Sequence, residues 1–158
     1  MKLADAPALP SLGPELEFLR LLWQVDHALQ RRSKRMAKEL GLTGPQRLVV
    51  RIVGRFPGLP AGELAELLHV HPSTLTGILA RLERGGWIAR RADPRDRRRA
   101  LFGLTERGRG VAAADPLTIE GALARVLAEI PAKNVEAARS LLRALARELE
   151  NGTPASPA

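Results

Sequence analysis

The chain has 158 residues, 27% of them charged and 45% apolar, which suits one compact domain or a small domain with an attached oligomerisation element. Cysteine is absent, so disulfide frameworks, cysteine-based zinc sites and thiol redox sensing are excluded, and no apolar run approaches the roughly 20 residues needed to cross a bilayer. Twenty-five basic against 17 acidic residues leave a net charge of +8, an excess that favours polyanionic partners through counterion release.

In chain order, residues 1–14 carry Pro7, Pro10, Gly13 and Pro14 and read as a flexible N-terminal arm. No signal peptide is readable around the lone Lys2, which points to the cytoplasm. From Glu15 to about Leu40 there is no proline or glycine. Phe18, Leu22, Val25, Leu29, Met36 and Leu40 share one helical face, and Leu22, Leu29 and Met36 recur every seven residues, as in a helix packed lengthwise on others. Gly41 stops this helix. Thr43 starts the next, with Gln46 completing a capping box, and Leu48, Val49, Ile52, Val53 and Phe56 are its expected buried side. Pro57-Gly58 ends it.

A short helix over Glu63–Leu68, a tight turn at His69-Val70-His71 and a second helix from Pro72 to Arg84 follow. Leu64, Leu68, Val70, Leu75 and Ile78 are spaced so that the two helices cross steeply, the helix-turn-helix pattern. His69 stands where the turn commonly has glycine, and histidine tolerates a positive φ better than most residues. Gly85-Gly86 closes the unit. Trp87–Arg91 and Ala100–Leu104 then read as two short strands around an Asp93-Pro94 turn, a hairpin whose tip is basic. Arg90 to Arg99 holds six arginines against Asp93 and Asp96, so +4 of the net charge falls in ten positions. A helix-turn-helix followed by such a hairpin is a winged helix. Thr105 caps a further helix that Asp115-Pro116 must kink or break. Helix resumes to Pro131, and a last helix runs from about Asn134 to Glu150 before a flexible tail at 151–158.

Two look-alikes are set aside. His27, His69 and His71 lack carboxylates at ligand spacing, so no metal site is expected. Gly108-x-Gly110-x-x-Ala113 mimics a dinucleotide fingerprint, but the next forty residues read as helix and supply no βαβ unit. With no nucleophile beside a base and no phosphate-binding loop, neither an enzyme nor a cofactor is expected.

Glu63-Leu64-Ala65, Pro72-Ser73-Thr74-Leu75-Thr76, Arg81-Leu82-Glu83-Arg84-Gly85-Gly86, Asp96-Arg97-Arg98 and Leu104-Thr105-Glu106-Arg107-Gly108 together resemble the multiple-antibiotic-resistance regulator (MarR) family of bacterial transcription factors. The resemblance covers roughly Leu42 to Gly110 by motif, and the flanking helices by order and length only. It implies a mainly α fold with a small β-hairpin: a winged helix-turn-helix at 42–104, flanked by dimerisation helices at 15–41 and 105–150. It further implies a homodimeric regulator, expected to be a repressor, that binds a near-palindromic operator in double-stranded DNA and responds to a small-molecule effector. No membrane is involved.

On this reading Ser73, Thr74 and Thr76 face the major groove, while Arg81 and Arg84 meet phosphates. Arg98 matches the family arginine that enters the minor groove, Asp96 shapes the loop, and Arg95 and Arg97 support it on phosphates. Gly77 departs from the family, where a long polar residue often reads a base. Trp23 and His27, one turn apart on the first helix, are the candidate effector-pocket residues. The competing reading is a non-specific architectural winged-helix nucleic-acid-binding protein, for which the basic wing and Gly77 would suffice.

Overall fold

The computed structural model describes residues 12–96, 98–113 and 115–151. The expected arm up to residue 11 and the tail from residue 152 lie outside the described residues. The element order is α1 (Gly13–Leu40), α2 (Gly44–Arg55), α3 (Ala61–Leu68), α4 (Pro72–Arg84), β1 (Ile88–Ala92), β2 (Ala100–Leu104), α5 (Glu106–Ala112), α6 (Ile119–Glu129) and α7 (Ala132–Asn151). They fall into two units, Met1–Ala113 and Ala114–Ala158.

In the first unit, α1 begins two residues earlier than expected, because Pro14 fits the first turn, where its missing N–H costs nothing. Gly41, at φ +73°, caps its other end and returns its N–H to the Ala37 carbonyl. The Thr43–Gln46 capping box is present in both directions. The buried side of α2 differs from the expectation. Val49, Val50 and Val53 form it, whereas Leu48 and Phe56 are exposed. The reason is Arg47, only 1% exposed, whose guanidinium bonds the carbonyls of Val111 and Ala113. Arg51 reaches the Ala112 carbonyl in the same way. Two arginines of α2 thus satisfy the orphan carbonyls at the C-terminus of α5, and this fixes the rotation of α2.

The core beneath the wing joins Leu42, Val49, Val50 and Val53 to Leu64, Leu75, Leu79, Leu82, Trp87, Ile88 and Phe102. His69 takes φ +50°, the left-handed conformation the turn requires, and passes the chain from α3 to α4. β1 and β2 pair antiparallel, Ile88 opposite Leu104 and Ala92 opposite Ala100. A bridge from Pro60 to Leu101 adds the segment before α3 to the edge of β2.

The motif Leu104-Thr105-Glu106-Arg107-Gly108 has a structural account. The Thr105 hydroxyl donates to the Gly86 carbonyl at 2.6 Å and accepts the Gly108 N–H at 3.0 Å. Arg107 lies 3.7 Å over the Trp87 ring and bonds the Gly85 carbonyl. Gly108 runs against the Trp87 carbonyl so closely that any side chain would overlap it. These contacts lock the start of α5 to the end of α4.

In the second unit, the expected interruption at Asp115-Pro116 is a full break. Asp115 accepts the Leu117 N–H, and Thr118 caps α6 through the Gly121 N–H. Gly121 must be glycine, since a Cβ would overlap the Asp115 carbonyl. Neither α6 nor α7 has a buried residue.

Candidate nucleic-acid interface

The element expected to meet DNA is α4. Its N-cap is His71, whose Nδ1 accepts the Ser73 N–H at 3.3 Å and lies 2.7 Å from the Ser73 hydroxyl. Leu75, Leu79 and Leu82 hold the inner side of α4 in the core. Ser73, Thr74, Thr76, Arg81 and Arg84 are all exposed.

Their hydroxyls are not equivalent. Ser73 is engaged with His71, and Thr76 donates to the Pro72 carbonyl at 2.8 Å. The Thr74 hydroxyl makes no hydrogen bond among the described residues, so both its donor and its acceptor capacity are unspent. Arg84 curls back to the Ala80 carbonyl at 3.3 Å, while the Arg81 guanidinium has no partner among the described residues. At Gly77 a Cβ would meet nothing within 4 Å, so the chain's own packing does not require glycine there.

The wing tip is held by its two aspartates. Asp93 Oδ1 accepts the Arg95 N–H and Asp96 Oδ1 accepts the Arg98 N–H, each at 2.9 Å. The Arg99 N–H bonds the Asp96 carbonyl, and the Asp93 N–H bonds the Arg99 carbonyl, closing the loop. Asp96 therefore grips backbone, and among the described residues the guanidinium groups of Arg95 and Arg98 have no ion-pair partner. Arg97 lies outside the described residues. At the base of the wing, Arg99 pairs with Glu63 of α3 at 2.8 Å. Both residues line a cleft of about 690 Å³ with Arg55, Leu59, Arg95 and Leu101.

The structure adds four residues that sequence reasoning did not select for the site, Asp93, Arg99, Glu63 and Arg107. Asp93 repeats the Asp96 turn, and its Asp-Pro pair was the available signal. The Arg99–Glu63 pair joins residues 36 apart, beyond the reach of any local pattern. Arg107 on Trp87 is equally non-local. Trp23 and His27 are placed one turn apart on α1, the ring of His27 bonding the Trp23 carbonyl at 2.9 Å. The Trp23 side chain is 64% exposed. Among the described residues no group of three or more His, Cys, Asp or Glu is placed to hold a metal ion.

Comparison with known proteins agrees with this geometry. Residues 42–100 match the model of the MarR family. An HTH-type transcriptional repressor of Mycobacterium tuberculosis is 33% identical over 125 residues, covering 79% of this chain and 90% of that protein. The PcaV transcriptional regulator of Streptomyces coelicolor, solved in complex with its natural ligand, is 26% identical, with a TM-score of 0.68 over 90% of this chain and 98% of that one. The fold also matches S. aureus MepR bound to DNA, with a TM-score of 0.69 at 20% identity over 84% of this chain and 97% of that one.

Proposed function

The chain belongs to the MarR family and is a DNA-binding transcriptional regulator; from that premise we propose that it is a repressor that reads a near-palindromic operator as a homodimer, through α4 and the wing. The observation that carries the site assignment is the pairing of a free Thr74 hydroxyl on α4 with wing arginines whose backbone is fixed and whose guanidinium groups are unspent. Fixed backbone with free cations is what phosphate and minor-groove binding require, since little order is lost on association. Thr74 is the leading base contact, seconded by Ser73 and Thr76, while Arg81 and Arg84 hold phosphates. Arg98 enters the minor groove, and Arg95 and Arg97 flank it on the backbone.

The dimer is supported by the exposed apolar faces of α1, α6 and α7, among them Leu19, Val25, Leu123, Val126 and Leu142. The flanking segments 15–41 and 105–150 would supply this interface and the winged domain 42–104 the DNA contact. Two recognition helices related by a twofold axis address successive major grooves about 34 Å apart. Trp23 and His27 would line the effector pocket, with an indole that an incoming ligand can cover. The protein acts by binding rather than by turnover, in the cytoplasm. In support, its relatives regulate transcription, and no helix among the described residues is long and apolar enough to cross a membrane.

A shift assay across a salt series, comparing the protein's own upstream DNA with random duplex, tests the operator reading. A large excess of affinity for the upstream DNA is expected. Equal affinity would favour the architectural reading, to which the bare Gly77 position lends some support. Effector binding is tested by tryptophan fluorescence. A ligand that changes emission in the wild type but not in Trp23→Phe places the pocket at Trp23, because Trp87 is buried beneath Arg107.

A further inference from the structure

The last three turns of α1 carry a cationic face that the operator contact does not use. Arg31, Lys34, Arg35 and Lys38 are exposed and recur at i, i+3, i+4 and i+7, so they form one stripe about 10 Å long. At about 100° per residue the stripe lies opposite the seam of Leu22, Leu29 and Met36. Met36 is buried, and the Ser33 hydroxyl accepts the Gly44 N–H at 2.8 Å, so this stretch of α1 is anchored to the winged unit rather than projecting freely. One acid, Glu39, bonds Arg35 at 2.9 Å. Among the described residues the other three cations have no ion-pair partner. Like charges three and four residues apart repel along a helix, so the stripe costs α1 stability that the Arg35–Glu39 pair offsets only in part.

Its position links it to the DNA surface. The indole of Trp87 sits between the C-caps of two helices. A Cβ on Gly41, which ends α1, would lie 3.4 Å from that ring, and one on Gly85, which ends α4, would lie 2.7 Å from it. The C-terminus of α1, just past Lys38, therefore lies beside the C-terminus of α4, whose last turn bears Arg81 and Arg84.

We propose that Arg31, Lys34, Arg35 and Lys38 form a second DNA-binding surface, which grips backbone phosphates of the duplex beyond the half-site addressed by α4. The partner follows from charge complementarity: four cations spread over about 10 Å face a strand that presents a phosphate every 3.4 Å of helix rise. Such contacts carry no sequence information and lengthen the footprint. The inference rests on the operator-binding reading above.

The test uses a core duplex that the full-length protein selects from a random-sequence pool, and the same duplex extended by about ten base pairs on each side, one further helical turn. The wild type should bind the extended duplex about tenfold more tightly at low salt, with a steeper salt dependence, each phosphate contact adding about 0.9 to the slope. The variant R31Q/K34Q/R35Q/K38Q should bind both duplexes alike, with its affinity for the core duplex retained. The charge-preserving variant R31K/K34R/R35K/K38R should keep the advantage of the longer DNA. An equal preference for the extended duplex in wild type and the Gln variant overturns the proposal. So does an equal loss on both duplexes, which would assign the stripe to the general field of the protein. Failure of the wild type to select any core duplex would instead sink the operator reading itself.

Discussion

The winged segment and the C-terminal helices are built on opposite principles. From Leu42 to Leu104 most of the apolar residues close on one another, with Leu48, Phe56 and Leu67 left exposed. Val50, Leu64 and Leu82 are fully buried, and the Trp87 side chain is sealed under a guanidinium. In α6 and α7 the periodicity is as regular, yet no residue is buried. An amphipathic stripe is a demand for a partner, and the two regions differ in whether the chain itself meets it. The winged segment buries most of its own apolar stripe, while α6 and α7 leave theirs exposed.

Four changes would break or sharpen that contrast. The largest effect is expected inside the winged core. Leu82→Ala leaves a cavity in the core cluster that also holds Val50, Leu75 and Trp87 and should cost about 2–5 kcal/mol, read by denaturant unfolding. A cost near zero would mean that the core is loose. On α7, Leu142 is 52% exposed in the single chain, and Leu142→Asp should weaken self-association by about 2–3 kcal/mol. Sedimentation at graded concentrations reads this, and an unchanged association constant would remove Leu142 from the interface.

Third in size, Arg98→Ala should lower operator affinity by about 1–3 kcal/mol at matched salt with the melting temperature unchanged, because its guanidinium has no hydrogen-bond or ion-pair partner among the described residues. Affinity equal to wild type would move the minor-groove contact elsewhere. The smallest is Gly77→Ala, which meets open space and should stabilise the fold by about 0.5–1 kcal/mol through helix propensity. A melting temperature that falls would show that glycine serves the fold of α4 after all.

Local rules made most of the winged segment legible. The Thr43–Gln46 box, the left-handed His69, Pro72 in the first turn, the His71 cap and the β2 limits each depend on residues within a few positions of one another. The same holds for Asp96, whose loop contact spans two residues. Legibility failed where the partner is distant. The exposure of Leu48 and Phe56 follows from Arg47 reaching carbonyls more than sixty residues away, and no periodicity in α2 announces that. In the candidate site, residue types marked Ser73, Thr74 and Thr76 equally. Only hydrogen-bond geometry separated the free hydroxyl from the two engaged ones.

By itself the sequence determined where the helices begin and end to within about two residues, that a basic hairpin follows a helix-turn-helix, and that the flanking helices have apolar faces. These depend on dihedral preference, capping and periodicity, all properties of neighbours along the chain. The tertiary structure decided which side of α2 is inward, why Gly108 and Arg107 are needed against Trp87, and that the wing is tied to α3 by Arg99 and Glu63. Those outcomes turn on carbonyls, rings and charges that meet only after the chain has folded, when burial makes each unpaired polar group costly enough to select a single arrangement.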